Sequence, residues 1–273
     1  MATRFLVENF FNLAQFPSHV ITGEDETTGN EGFRVATARR HARDHYTPQT
    51  ANVGRYVEAA CDRVRSADML VIDRNSNLAG ETVRIQASNQ AAFTTSQEVS
   101  FTVPSSTFYG DVLTASHPVR TEEGATVIKF TAMAFRYWRV EVDAMGTGEK
   151  PQIGGLWLGQ SASPATVPLP FDDEPKWLDR IEIRAGLPSA FTRTGKTTAV
   201  RVMLTDEAEW SKFRYHFGSL FWRGQAMWYV ADTDFGERAW LSYAPAGTNG
   251  APQSDRPARD VTLSLAELQP VLP

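Results

Sequence analysis

A mainly β chain is predicted, and three observations predict it. From Arg136 to Asp143 the sequence alternates, with Trp138, Val140 and Val142 on one side and Tyr137, Arg139 and Glu141 on the other, the period of a half-buried strand. Shorter runs repeat the pattern at Val83 and Ile85, at Ile181 and Ile183, and at Val200, Val202 and Leu204. One segment alone carries helix punctuation. Thr205 stands as N-cap, acids fill the first turn after it, and Gly218 stands where a left-handed C-terminal residue belongs, so a helix is predicted near 206–217.

A chain of 273 residues exceeds the usual span of one core and suits two of roughly 100 to 150 residues. Ser161–Pro175 holds four prolines in fifteen residues, which favours extended backbone without helix or ladder. The expected division is therefore 1–160, a linker at 161–175, and 176–273. Hydrophobic residues at 42% and charged residues at 22% match a globular protein. A net charge of -5 and a pI near 5.6 lack the concentrated basic surface that nucleic acid requires. The single cysteine, Cys61, makes neither an internal disulfide nor a cysteine metal site, and reads as a small buried hydrophobe. Without an apolar window of about 18 residues no membrane span is expected. Met1–Phe10 lacks the basic, apolar and small-residue order of a secretory signal, so synthesis in a cytoplasm is expected.

In chain order, Arg4–Leu13 reads as an opening strand broken at Gln15–Ser18, with the fold of 1–55 otherwise open. Thr22–Gly32 carries four acids among glycines and threonines. Gly23, Asp25 and Asn30 do not fit the EF-hand spacing, so a solvated loop is expected in place of a calcium site. His41 and His45 share the i, i+4 spacing of a zinc pair, yet no glutamate follows the first and arginines flank both, which points to surface or interface residues. Tyr56–Cys61 and Asp68–Ile72 read as strands, followed by a polar loop of Asp73, Arg74, Asn75, Ser76 and Asn77, then a strand at Thr82–Gln86. Ser88–Ser100 reads as a long loop, and Val99–Val103 as a short strand. Thr126–Asp143 and Gln152–Gln160 are two strands around the turn-rich Ala144–Pro151. Beyond the linker, strands are expected at Trp177–Arg184, Ala199–Leu204, Ala226–Ala231, Ala239–Tyr243 and Val261–Leu265.

Tyr137-Trp-Arg-Val-Glu-Val with Ile153-Gly-Gly-Leu-Trp-Leu-Gly resembles the late strands of galactose-binding-like, discoidin-type β-sandwiches. It is similar in particular to versions found in minor tail and baseplate proteins of tailed bacteriophages. Ile72-Asp-Arg-Asn-Ser-Asn-Leu-Ala-Gly80 is a second point of resemblance, although a turn rich in Asp and Asn also explains it. The order of strand, capped helix and Trp/Tyr-rich strands after 176 is a third. The resemblance implies a galactose-binding-like sandwich followed by a smaller β-rich domain, and a virion protein of the tail tip or baseplate. It also implies assembly with other phage tail proteins as a homo-oligomeric ring or on the hub, contact with host-surface glycans, and no catalysis. A carbohydrate-binding module or lectin-like protein is the alternative.

No cofactor or metal is expected. Arg193-Thr-Gly-Lys-Thr-Thr198 invites a phosphate-loop reading, but Ala190 occupies the position of the first glycine, and a hairpin turn is expected instead. Gly-x-Ser-x-Gly is absent. Asp172, Asp173 and Glu174 cluster in sequence, where successive side chains diverge, on a segment too weakly scaffolded for paired-carboxylate hydrolysis. Trp222, Trp228, Tyr229 and their aromatic neighbours crowd the C-terminal third, where Arg outnumbers Lys. Interfaces favour that composition, and a codon bias toward arginine would produce it too. The candidate glycan or interface residues are therefore Asp73, Asn75 and Asn77, with the loop Ala144–Lys150 beside them, and Trp222, Trp228 and Tyr229.

Overall fold

The computed structural model describes residues 3–28, 31–32, 35, 45–73, 76–114, 117–163, 176–184, 187–204, 226–243 and 259–267. Within them the chain is mainly β, as expected. The strands run β1 Arg4–Leu6, β2 Val20–Gly23, β3 Arg55–Ile72, β4 Thr82–Ser88, β5 Gln97–Thr102, β6 Val119–Arg120 and β7 Thr126–Val142. They continue as β8 Leu156–Gly159, β9 Ser161–Ala162, β10 Lys176–Arg184, β11 Leu187–Leu204, β12 Ala226–Val230, β13 Ala239–Tyr243 and β14 Arg259–Glu267. The helix expected near 206–217 lies outside the described residues.

An antiparallel ribbon of β3 on β7 organises the first part. Its register shifts between Ala60 and Arg65 and again between Ala67 and Met69, and Asp62, Arg63 and Val64 are exposed there. Such irregularities let a strand turn a corner. On one side of the corner β2 joins β3 while β4 and β5 extend from β7. On the other, β8 joins β3 and β6 joins β7. Val57, Ala59, Trp138 and Val140 from the first half share one core with Leu70, Ile72, Ile128 and Leu158 from the second. Phe10 bridges the two layers: its N–H donates to the Leu158 carbonyl at 2.9 Å, and its ring lies 5.7 Å from that of Trp138. The result is a β-sandwich made by folding one long ribbon.

The outer face of the second half is covered as well. Met69, Val71, Val127 and Trp157 pack with Leu6, Trp228, Val230 and Leu241. This explains why Met69-Leu-Val-Ile72 is continuously apolar, since a strand buried on both faces has no wet side to alternate with. The covering layer is a second sheet in the order β10-β11-β14-β13-β12-β1-β9. Its strand β1 comes from the N-terminus, pairing Arg4 with Val230 and Leu6 with Trp228.

Three expectations need correction. Tyr56–Cys61 and Asp68–Ile72 belong to one strand, because the polar residues between them stay extended at the corner. Arg193–Thr198 is no hairpin turn: it lies inside β11, with Gly195 paired to Leu178 beside a register shift, and the pairing of β10 with β11 begins at Arg184 and Leu187. The opening strand stops at Leu6, since Asn9 then takes the chain into turns. The Asn9 side chain donates to the Leu156 carbonyl at 2.8 Å and accepts from Phe11 N at 3.1 Å.

Cys61 is buried, and burial pushes its thiol up to about 12. The thiolate is the reactive form. In the folded protein Cys61 is therefore expected to resist alkylation by iodoacetamide at neutral pH and to react on unfolding in urea, as followed by intact mass.

Candidate functional site

Two loop clusters lie side by side at the end of the sandwich away from the corner. In the cluster expected from the sequence, Asn77 closes the polar loop onto the turn-rich segment before β8. Its Oδ1 accepts from Gln152 N at 2.6 Å and its Nδ2 donates to the Lys150 carbonyl at 3.1 Å. Ser76 Oγ accepts from Gly154 N at 2.8 Å, and Asn52 Oδ1 accepts from Gly148 N at 2.6 Å. Asp73 is buried, with its N–H donating to the Gly155 carbonyl at 2.7 Å and its side chain packed closely against Gly155. The Asn52, Ser76 and Asn77 side chains join loops to one another, the structural use open to such residues in the sequence. Asn75 and Trp222 lie outside the described residues.

The described residues of the acidic stretch, 22–28 and 31–32, pack beside the same cluster. Glu26 Oε1 accepts from Gly32 N at 3.0 Å, and Asp25 accepts from Thr50 N at 2.8 Å and from Arg55 at 3.4 Å. The hydrogen bonds from Thr50 and the Arg55 charge hold the Asp25 carboxyl below its ordinary range. Among the described residues no group of three or more His, Cys, Asp and Glu is placed to hold a metal ion.

Trp228 and Tyr229 are core. They are 0% and 2% exposed, on a strand whose five residues, Ala226–Val230, are all buried between β1 and β13. Neither ring offers a face to a ligand here. A run of five apolar residues without polar alternation already carries the sign of burial on both sides.

The other loop cluster, formed by the segment between β5 and β6, has the opposite character. Phe108 is 62% exposed and Tyr109 79% exposed, and Val112 is exposed beside them. Four hydrogen bonds hold the backbone beneath these side chains, and a fifth joins the two segments that brace it. Thr107 Oγ1 donates to the Thr121 carbonyl at 3.0 Å. Gly110 N donates to Glu237 Oε1 at 3.2 Å, Gly236 N to the Asp111 carbonyl at 2.8 Å, Leu113 N to the Thr233 carbonyl at 2.7 Å, and Glu122 N to the Glu237 carbonyl at 3.1 Å. Gly110 sits at φ 83°, the left-handed conformation that glycine alone adopts freely, and this turns the chain immediately after the aromatic pair. Leu113 anchors the far side in the core under the second sheet. Two aromatic faces are thus held outward on a braced loop, where exposing them costs hydrophobic free energy with no return from folding.

This pair went unnoticed in the sequence because Ser105-Ser-Thr-Phe-Tyr-Gly-Asp has no periodicity. The usable signal was two adjacent aromatics in a Ser/Thr/Gly loop with no apolar partner at strand or helix spacing.

On the outer face of the five-stranded layer, Arg84 gathers three carboxylates: Glu141 at 3.4 Å, Glu98 at 3.8 Å, and Asp143 in direct contact. Burial, opposed by Arg84 and reinforced by Asp143, raises Glu141 above its ordinary value. A carboxyl raised in the folded state contributes stability below its unfolded value, and that contribution is lost as pH rises through the folded one. Glu141→Gln is therefore expected to melt at or above the parent temperature at neutral pH. The difference should vanish in acid below the unfolded carboxyl value, as read from melting temperature against pH.

No protein-family model matches the sequence, and no curated protein does. Among solved structures, the chain is similar to a Ruminococcus gnavus fucosidase in complex with fucose, with TM-score 0.41 and 9% identity over 55% of this chain and 27% of that one. It is similar to the lectin binding domain of lectinolysin complexed with Lewis b, with TM-score 0.41 and 11% identity over 57% of this chain and 97% of that one. It is also similar to a family 32 carbohydrate-binding module from C. perfringens in complex with galactose, with TM-score 0.40 and 8% identity over 59% of this chain and 99% of that one. The chain spans about a quarter of the fucosidase's length.

Proposed function

We propose that this chain is a non-catalytic glycan-binding protein and that Phe108 and Tyr109 are its contact surface. The observation that carries the reading is the exposure of both rings on a loop braced by four hydrogen bonds. A sugar ring presents an apolar C–H face that stacks on an aromatic side chain, and hydroxyls that bond to polar groups around it. A loop fixed before binding loses little conformational entropy when the ligand arrives. Neither requirement involves a bond being made or broken. The galactose-binding-like resemblance in the sequence points the same way.

Binding of the purified protein to a panel of immobilised neutral, amino and acidic oligosaccharides tests this directly. Saturable binding to at least one class, without turnover of the sugar, is the expected result. Absence of saturable binding across the panel would overturn it.

In the setting implied by the sequence resemblance, a phage tail tip, this loop would meet host-surface glycans during adsorption while other surfaces join tail proteins or copies in a ring. That placement has its own test, mass spectrometry of purified particles. The chain is expected at fixed stoichiometry, and its absence would remove the tail placement while leaving the glycan-binding reading standing.

A further inference from the structure

The surroundings of the aromatic loop are strongly acidic. The loop and the two segments hydrogen-bonded to it carry Asp111, Glu122, Glu123, Asp232, Asp234 and Glu237, against Arg120 and Arg238, with His117 alongside. Arg120 is already engaged, its Nη1 donating to the Pro104 carbonyl at 3.2 Å. Glu237 differs from the other acids because it is only 1% exposed. One carboxyl oxygen accepts from Gly110 N at the turn that follows the aromatic pair, and the other, Oε2, is buried without a hydrogen-bond partner. A buried polar oxygen without a donor is costly, and such positions are usually met by a ligand or water.

Aromatic faces attract cations through their ring quadrupole, by an amount that grows as water is excluded. Carboxylates within about a Debye length raise the local concentration of cations and repel anions. Resting on the glycan-binding reading above, we infer that this site selects sugars bearing an ammonium group, that is amino sugars, over neutral ones, and rejects sugars bearing carboxylate or sulfate. The ammonium would stack against Phe108 or Tyr109, its charge compensated by Asp111 and its neighbours. Glu237, buried beneath the turn, holds Gly110 in place from within the same acidic surroundings.

Calorimetric titration of the intact protein with three probes tests the inference: a glucosamine oligomer, the N-acetylglucosamine oligomer of equal length, and a sialylated oligosaccharide. At mildly acidic pH, where the sugar amine is charged, the glucosamine oligomer is expected to bind roughly tenfold tighter than its acetylated partner at low salt. That ratio should shrink several-fold at about 0.5 M salt, where the screening length falls to a few ångströms. The sialylated probe should be the weakest. Asp111→Asn with Asp234→Asn should bring the ratio of the two oligomers toward one. Equal affinities for the matched oligomers at low salt, or tighter binding of the sialylated probe, would overturn the charge selection and leave glycan binding in place. Failure of all three probes together with the immobilised panel would overturn both. The wild-type salt series decides the matter even if the double variant does not fold.

Discussion

Phe108→Ala with Tyr109→Ala is expected to reduce glycan affinity by roughly a hundredfold, about tenfold per ring, while leaving the urea midpoint unchanged within error. The estimate follows from about 1–2 kcal/mol for each aromatic face that a bound sugar no longer covers. Stability should stay within roughly 0.5 kcal/mol, because both rings are more than half exposed in the free protein and their loss opens no cavity. Surface plasmon resonance on the best glycan of the panel, paired with urea denaturation of the same preparations, separates the two effects. Equal affinity in the double variant would show that the rings are not the contact surface. A large drop in stability would show that they serve the fold.

Trp138→Ala should do the reverse. Its ring is fully buried, 5.7 Å from Phe10 and 6.3 Å from Phe135, and its Nε1 donates to the Phe135 carbonyl at 3.1 Å. It fills the space between the two halves of the folded ribbon. Removing it leaves a cavity that the stiff strands around it cannot close, at a cost of about 3–5 kcal/mol. That is a large share of the roughly 5–15 kcal/mol that holds a domain together. A urea midpoint close to that of the parent would mean that the two layers are held by something other than this contact. These two substitutions remove aromatic area of similar kind, so opposite outcomes for binding and stability would assign one site to recognition and the other to the core.

What was legible in the sequence was local. The alternation around Trp138 gives β7, and the runs around Val83, Ala226, Ala239 and Val261 give β4, β12, β13 and β14 within a few residues. What escaped depends on distant partners. No feature of Arg4-Phe-Leu states that it pairs with Val230, Tyr229 and Trp228, because such a contact is set by two cores closing over 220 residues of chain. Asp62 to Arg65 looks like a break between strands, since its polar residues face solvent where the ribbon turns its corner. Arg193 to Thr198 looks like a turn, because glycine serves an irregular strand pairing as readily as a reversal.

At the candidate site the same limit applies. Asp73 and Asn77 are legible as polar residues after a strand, but whether such groups face a ligand or another loop depends on who occupies their hydrogen bonds. Gln152 and Lys150 occupy those of the Asn77 side chain. Aromatic content misleads for a related reason. Trp228 and Phe108 are equally apolar, and only the packing of β1 and β13 beside the first, with nothing comparable beside the second, distinguishes core from contact surface.

Amide chemical-shift mapping during titration with the best-bound glycan tests the central claim most directly. The account predicts that the largest shifts fall on 107–113 and on the 231–238 turn that braces them. Shifts concentrated instead on 73–80 and 144–152 would contradict it and move recognition to the neighbouring loop cluster around Asn77.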